Sequence, residues 1–140
     1  MVNDKSNIWK LYSESLIEET SNEDAWIGTS WTDTIDGKEV TVTIKDILDL
    51  IKERPVQEID THILEPYALH KTKTDAGTLA NIKKANLNYP IIVLKKHTTT
   101  YQILDGNHRL QKAINNKIPH IKARVIELKD MPSDWQKVFN

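Results

Sequence analysis

Five consecutive residues, Asp105-Gly106-Asn107-His108-Arg109, constrain this chain more than any other feature, because they join a short apolar run, Tyr101 to Leu104, to a helix-like run, Leu110 to Asn115. A glycine lets the backbone turn tightly and approach a ligand, and the helix start that follows offers unbonded N–H groups and a positive dipole end. Such a turn is a seat for a phosphate. His108 and Arg109 add two cation-capable donors at its mouth, while Asp105 supplies a carboxylate able to hold a metal ion or take a proton. The same residues also suit an ordinary strand-to-helix turn, with Asp105 or Asn107 as the cap and His108 and Arg109 in solvent.

The surrounding pattern extends this unit. Val56 to Asp60 reads as a strand, followed by Ile63-Leu64-Glu65-Pro66 and a helix-like Leu79 to Ala85. Tyr89-Pro90-Ile91-Ile92-Val93-Leu94 is a second strand, the Tyr101 strand with its turn and helix comes next, and Ile118-Pro119-His120 to Ile126 closes the series. In order of elements and in motif, residues 56 to 128 resemble the ParB/sulfiredoxin superfamily. That resemblance implies a mixed α/β (α+β) sheet with flanking helices and a turn that binds nucleotide phosphates. The superfamily spans CTP-dependent partition proteins, an ATP-using sulfinate reductase, a free-serine kinase and ParB-like nucleases, so the reaction is left open.

Departures from the family narrow the choice. Sulfiredoxin needs a cysteine between the glycine and histidine of the motif; Asn107 stands there, and the chain has no cysteine. Partition proteins carry a Gly-Glu-Arg-Arg turn and a later helix-turn-helix domain, whereas here only Lys129 to Asn140 follow the last expected strand, as a short tail. The Asp-Gly-x-His-Arg form is similar to the kinase-like branch. By that resemblance Asp105 and His108 are the candidate catalytic residues, with Asp105 on a metal or acting as base. Gly106, Asn107, His108 and Arg109 then contact phosphate, and Asp105→Asn is expected to abolish turnover while leaving the fold intact.

Two neighbouring segments are candidates to complete the site. The polar stretch from His70 to Thr78 lies where relatives contact nucleotide or substrate, which nominates Lys71, Lys73 and Thr74. It also reads as a solvated loop in which Asp75 or Thr78 caps the next helix. Glu58, Asp60 and Glu65 flank the first core strand, and a carboxylate facing Asp105 across the sheet would suit magnesium, which takes one or two carboxylates together with phosphate oxygens. Glu65, before Pro66, is the preferred partner.

Charge is distributed unevenly. Residues 1 to 60 hold 6 lysines and arginines against 14 acids, a net of −8, while residues 61 to 140 hold 13 against 6, a net of +7. The basic half suggests a nucleotide, or a DNA or RNA backbone approaching Lys95, Lys96, Lys112, Lys117, Lys122 and Arg124. Alternatively, the acidic half folds over the basic one, or contacts a basic protein partner or a second copy of the chain. No aromatic residues interleave with these lysines along the sequence, which weakens the nucleic-acid reading.

Residues 1 to 55 read as a family-specific extension of helix, hairpin and helix, expected to pack on a core of residues 56 to 140. Ile8, Leu11, Tyr12, Leu16 and Glu19 follow a helical period, Asp36-Gly37 is a hairpin turn before the alternating Glu39 to Val42, and Thr43 with Asp46 resembles a capping box opening a helix that ends before Pro55. Trp9, Trp26 and Trp31 are core candidates. With 39% hydrophobic residues, no apolar run long enough to span a bilayer and no apolar core behind Met1 to Lys5, a cytoplasmic domain is expected.

Other chemistries lack their motifs. The five histidines contain no i, i+4 helical pair, and no serine-hydrolase elbow or Walker loop occurs. The leading expectation is therefore an enzyme using ATP or another nucleoside triphosphate with magnesium for phosphoryl transfer or hydrolysis. The alternatives are a ParB-like nucleic-acid-binding or nuclease module and a regulatory protein-binding protein. Lys, Asn, Ile and Thr usage suggests an AT-rich genome and fits a phage-encoded standalone domain.

Overall fold

A computed structural model of the chain describes residues 30–70, 74–97 and 99–140. Strands β1 (Ser30–Ile35) and β2 (Lys38–Thr43) pair as an antiparallel hairpin whose two turn residues, Asp36 and Gly37, both take left-handed φ, 52° and 81°. That is the type I′ geometry that matches strand twist and favours an Asp-Gly pair. Helix α1 (Ile44–Ile51) follows directly. Thr43 Oγ1 accepts from the Asp46 N–H at 3.1 Å while Asp46 Oδ2 accepts from the Thr43 N–H at 2.9 Å, so an aspartate closes the capping box. Ile44, Ile47, Leu48 and Ile51 form its buried stripe.

Next come β3 (Gln57–Asp60), a single turn α2 (Thr61–Leu64), a 3-10 turn (Glu65–Tyr67) and α3 (Ala76–Lys84). Asp75 caps α3, accepting from both the N–H and the hydroxyl of Thr78. Then β4 (Ile91–His97), β5 (Thr100–Asp105), α4 (Asn107–Asn115) and β6 (His120–Glu127) complete a four-stranded sheet in the order β3-β6-β4-β5. The β4–β6 pair is parallel and the other two are antiparallel, so the sheet is mixed.

Four consecutive apolar residues, Ile91 to Leu94, are fully buried because β4 is an interior strand covered on both faces. Ile92 and Leu94 join Leu104 and Ile126 beneath α1 and β2, while Ile91 and Val93 join Ile103, Ile121 and Ala123 against Leu64, Leu110 and Ala113. The alternation is the period-two rule of a strand, applied to two cores at once. The described part of residues 1 to 55 thus shares one core with the sheet. The expected helix between Ile8 and Glu19, together with Trp9 and Trp26, lies outside the described residues.

The carboxyl terminus departs from expectation. Instead of a tail, residues after β6 form a 3-10 turn (Leu128–Asp130) and helix α5 (Ser133–Phe139), which packs on the hairpin. Phe139 is buried against Trp31, ring centres 5.2 Å apart, and Trp135 and Val138 complete the contact at helical spacing. Helix α4 also starts three residues earlier than its apolar pattern suggested, at Asn107. Among the described residues no helix is long and apolar enough to cross a membrane.

Gly37 and Gly106 both need glycine, for different reasons. Both have positive φ, but a Cβ on Gly37 would meet nothing within 4 Å, whereas on Gly106 it would lie 2.7 Å from Ile91 Cβ and closer still to Cγ2 of that side chain. Gly37→Ala should therefore cost about 1–2 kcal/mol, the left-handed penalty alone. Gly106→Ala should cost about 3 kcal/mol or more, since overlap with a fully packed strand is added. Urea denaturation of the two variants followed by circular dichroism would read this difference, and equal losses would contradict it.

Candidate functional site

Asp105 is the last residue of β5, Gly106 turns at φ 100°, and α4 begins at Asn107 without a side-chain cap. The sequence had offered Asp105 or Asn107 as that cap; instead Asp105 is turned to an ion pair. The first-turn N–H groups of α4 are those a helix cannot satisfy internally, so the start of α4 has the electrostatics of an anion seat.

The charged members of the motif face inward. Arg109 is 1% exposed, and its guanidinium donates to Asp105 Oδ2 at 3.0 Å, to the Pro90 carbonyl at 2.8 Å and to the Tyr89 carbonyl at 3.1 Å. Asp105 is itself 7% exposed. A buried ion pair survives only when hydrogen bonds replace the lost water, and the planar fork of arginine supplies several at fixed angles. Arg109 and Asp105, expected on phosphate and metal, thus brace the turn against the entrance to β4. Asp105→Asn removes the charge facing a buried guanidinium and so acts on the fold as well as on any chemistry.

His108 is buried and stacks on His70, ring centres 4.4 Å apart and planes 11° from parallel. His70 thereby reaches the first turn of α4. Thr74 is exposed, immediately before the Asp75 cap, and Lys71 and Lys73 lie outside the described residues.

The expected carboxylate partners are elsewhere. β3 and β5 are opposite edges of the sheet, separated by β6 and β4, so Glu58 and Asp60 stand about 14 Å from the β5 strand. Glu58 pairs in register with Lys122 and Asp60 with His120. Glu65 is exposed and lines a groove with Lys117, Ile118 and Pro119, beyond the last turn of α4, whereas Asp105 precedes its first. Strand order separates what sequence proximity to Pro66 could not locate. Among the described residues no group of three or more histidines, aspartates and glutamates could hold a metal ion.

A polar feature was missed. Asn107, Gln111 and Asn115 repeat every four residues and so share one face of α4. Gln111 is 4% exposed and donates to Asn115 Oδ1 at 2.8 Å, while its own Oε1 and the Oδ1 of Asn107 are buried without a hydrogen-bond partner among the described residues. Unsatisfied buried carbonyls are costly and mark positions where a donor is expected. The i, i+4, i+8 amide spacing was the available signal.

Beyond the surface pairs of Lys129 with Glu127 and Lys137 with Asp36, the described cations of the basic half fall into two sets. Lys112 donates to the carbonyls of Lys83 and Ala85, both at 2.7 Å, capping the carboxyl end of α3, and buried Arg124 donates to the Arg54 carbonyl at 2.6 Å. These two, expected on a nucleic-acid backbone, hold the fold together. Lys83, Lys84, Lys95, Lys96, Lys117 and Lys122 make no ion pair among the described residues.

Arg109→Lys separates charge from geometry. An ammonium on a flexible stem cannot reach Asp105 and both carbonyls together, so about 2–3 kcal/mol of stability should be lost with the charge retained. Urea unfolding measures it, and a loss under about 0.5 kcal/mol would show that the fork is dispensable.

No curated protein and no solved structure gives a significant match to the chain. A family model does: residues 47–134 match the ParB N-terminal domain, a span that starts within α1 and runs through β6 to the start of α5. It contains the buried pair, the Gly106 turn and the whole four-stranded sheet, and it covers well over half of the sequence. The chain belongs to the family of ParB N-terminal domains.

Proposed function

We propose that this chain is a ParB-like nucleic-acid-binding module. The observation that carries this reading is which cations the fold leaves over: the buried ones are used internally, while six lysines of the basic half make no ion pair among the described residues. Long-stemmed ammonium groups free of ion pairs suit a phosphate backbone, where affinity comes from released counterions rather than from a shaped pocket. Family membership supports the same reading.

A second reading concerns the start of α4. Its uncapped first turn, the close approach of Gly106 and the buried amide oxygens of Asn107 and Gln111 favour a nucleotide bound there through its phosphates. Asn107 and Gln111 can present either end of the amide, as acceptor or donor. With Asp105 paired to Arg109, this reading concerns binding of a nucleotide, with magnesium brought on its phosphates, and phosphoryl transfer is not part of it.

Fluorescence anisotropy with a labelled oligonucleotide, titrated between about 50 and 300 mM salt, tests the first reading. Affinity should fall with a log–log slope of about −3 or steeper, the release expected when several phosphates are neutralised. Absence of binding at the lowest salt, together with a rise in melting temperature on adding ATP, CTP or GTP with magnesium, would move the assignment to the nucleotide.

A further inference from the structure

Along the sequence the lysines have no aromatic neighbours, but the sheet register supplies them. Lys95 on β4 is the cross-strand partner of Tyr101 on β5 and of Glu127 on β6. Register partners project to the same face, so Tyr101, Lys95 and Glu127 form one row across three strands. Tyr67, from the 3-10 turn, sets its ring edge-on to Tyr101 with centres 5.8 Å apart, and its hydroxyl donates to the Thr99 carbonyl, just before β5, at 2.8 Å. Both tyrosines are half-buried and pack against the core that contains Ile91, Val93 and Ile103.

Beside this row, Lys95, Lys96 and His97 line a groove with Glu127, Leu128 and Lys129, its volume about 230 Å³. Glu127 pairs with Lys129 at 3.1 Å at the surface, and the carboxylate raises the pKa of that ammonium. Three lysines against one carboxylate leave the corner positive. The groove is smaller than the pockets that enclose small molecules, so it suits a polymer passing over it better than a free ligand held within it.

We propose that this corner, Lys95, Lys96 and Tyr101 with Tyr67 behind it, is a contact surface for single-stranded nucleic acid, the lysines on phosphates and the Tyr101 ring beneath a base. The proposal rests on the nucleic-acid reading above and adds a place and a strandedness to it. A single strand fits the chemistry because its bases are free to stack on an aromatic ring, whereas those of a duplex are stacked on one another.

The test compares the wild type with Tyr101→Leu, Tyr101→Phe and Lys95→Gln/Lys96→Gln, using Lys45→Gln on α1 as a control, by anisotropy on a labelled single strand and on its duplex. Tyr101→Leu should weaken single-strand binding by about 5-fold or more, the loss of one stacked base, while Tyr101→Phe and Lys45→Gln bind like the wild type. The double lysine variant should make the salt slope shallower by about 1–2. Wild-type binding that survives both Tyr101→Leu and the lysine pair would overturn the corner and leave the module reading intact, as would a duplex preference indifferent to Tyr101. Absence of wild-type binding to either substrate would overturn both. Should Tyr101→Leu fail to fold, the lysine pair still decides, since an unchanged salt slope would overturn the proposal.

Discussion

A guanidinium held out of water organises this domain. Arg109 sits one helical turn beyond Asp105, and its fork ties the end of β5, the first turn of α4 and the carbonyls that lead into β4. Gly106 presses on Ile91, the first residue of the same strand, so the turn is braced against β4 from two directions. Neither charge could be left alone in this environment, because a buried ion without its counterpart is strongly destabilising. The geometry of the turn and the packing of the central strand are therefore one constraint.

This changes what the motif offers a ligand. Asp105, Gly106 and Arg109 shape the turn, and on the nucleotide reading the groups that would meet an anion or a base edge are the first-turn N–H groups, Asn107 and His108, with His70 stacked alongside. The buried amide oxygens of Asn107 and Gln111 extend the same helix face inward. Residues that look like contacts in a linear motif can act one step back, by holding the contacts in place.

Local rules were readable wherever the deciding interaction spanned a few residues. The Asp36-Gly37 turn, the Thr43–Asp46 box, the α1 stripe and the doubly buried Ile91 to Leu94 each depend on neighbours within one turn or one strand. What depends on strand order was not readable. Glu65 was set beside Asp105 by sequence logic and lies beyond the far end of α4, and Tyr101 meets Lys95 only through the β4–β5 register. Arg109 and Arg124 looked like surface cations because nothing in a single sequence distinguishes a buried arginine from a solvated one. Helix α5 was legible and overlooked: Trp135, Val138 and Phe139 after Pro132 carry the helical period, but so short a segment reads as a tail until the hairpin it covers is in view.

The central claim, that the buried pair is a mutual dependence and not two separate contacts, is tested most directly by a double-mutant cycle with Asp105→Asn and Arg109→Gln, unfolded in urea. The account predicts a coupling energy of about 2 kcal/mol or more, because removing the second charge relieves part of the penalty created by removing the first. Losses that add to within about 0.5 kcal/mol would contradict it.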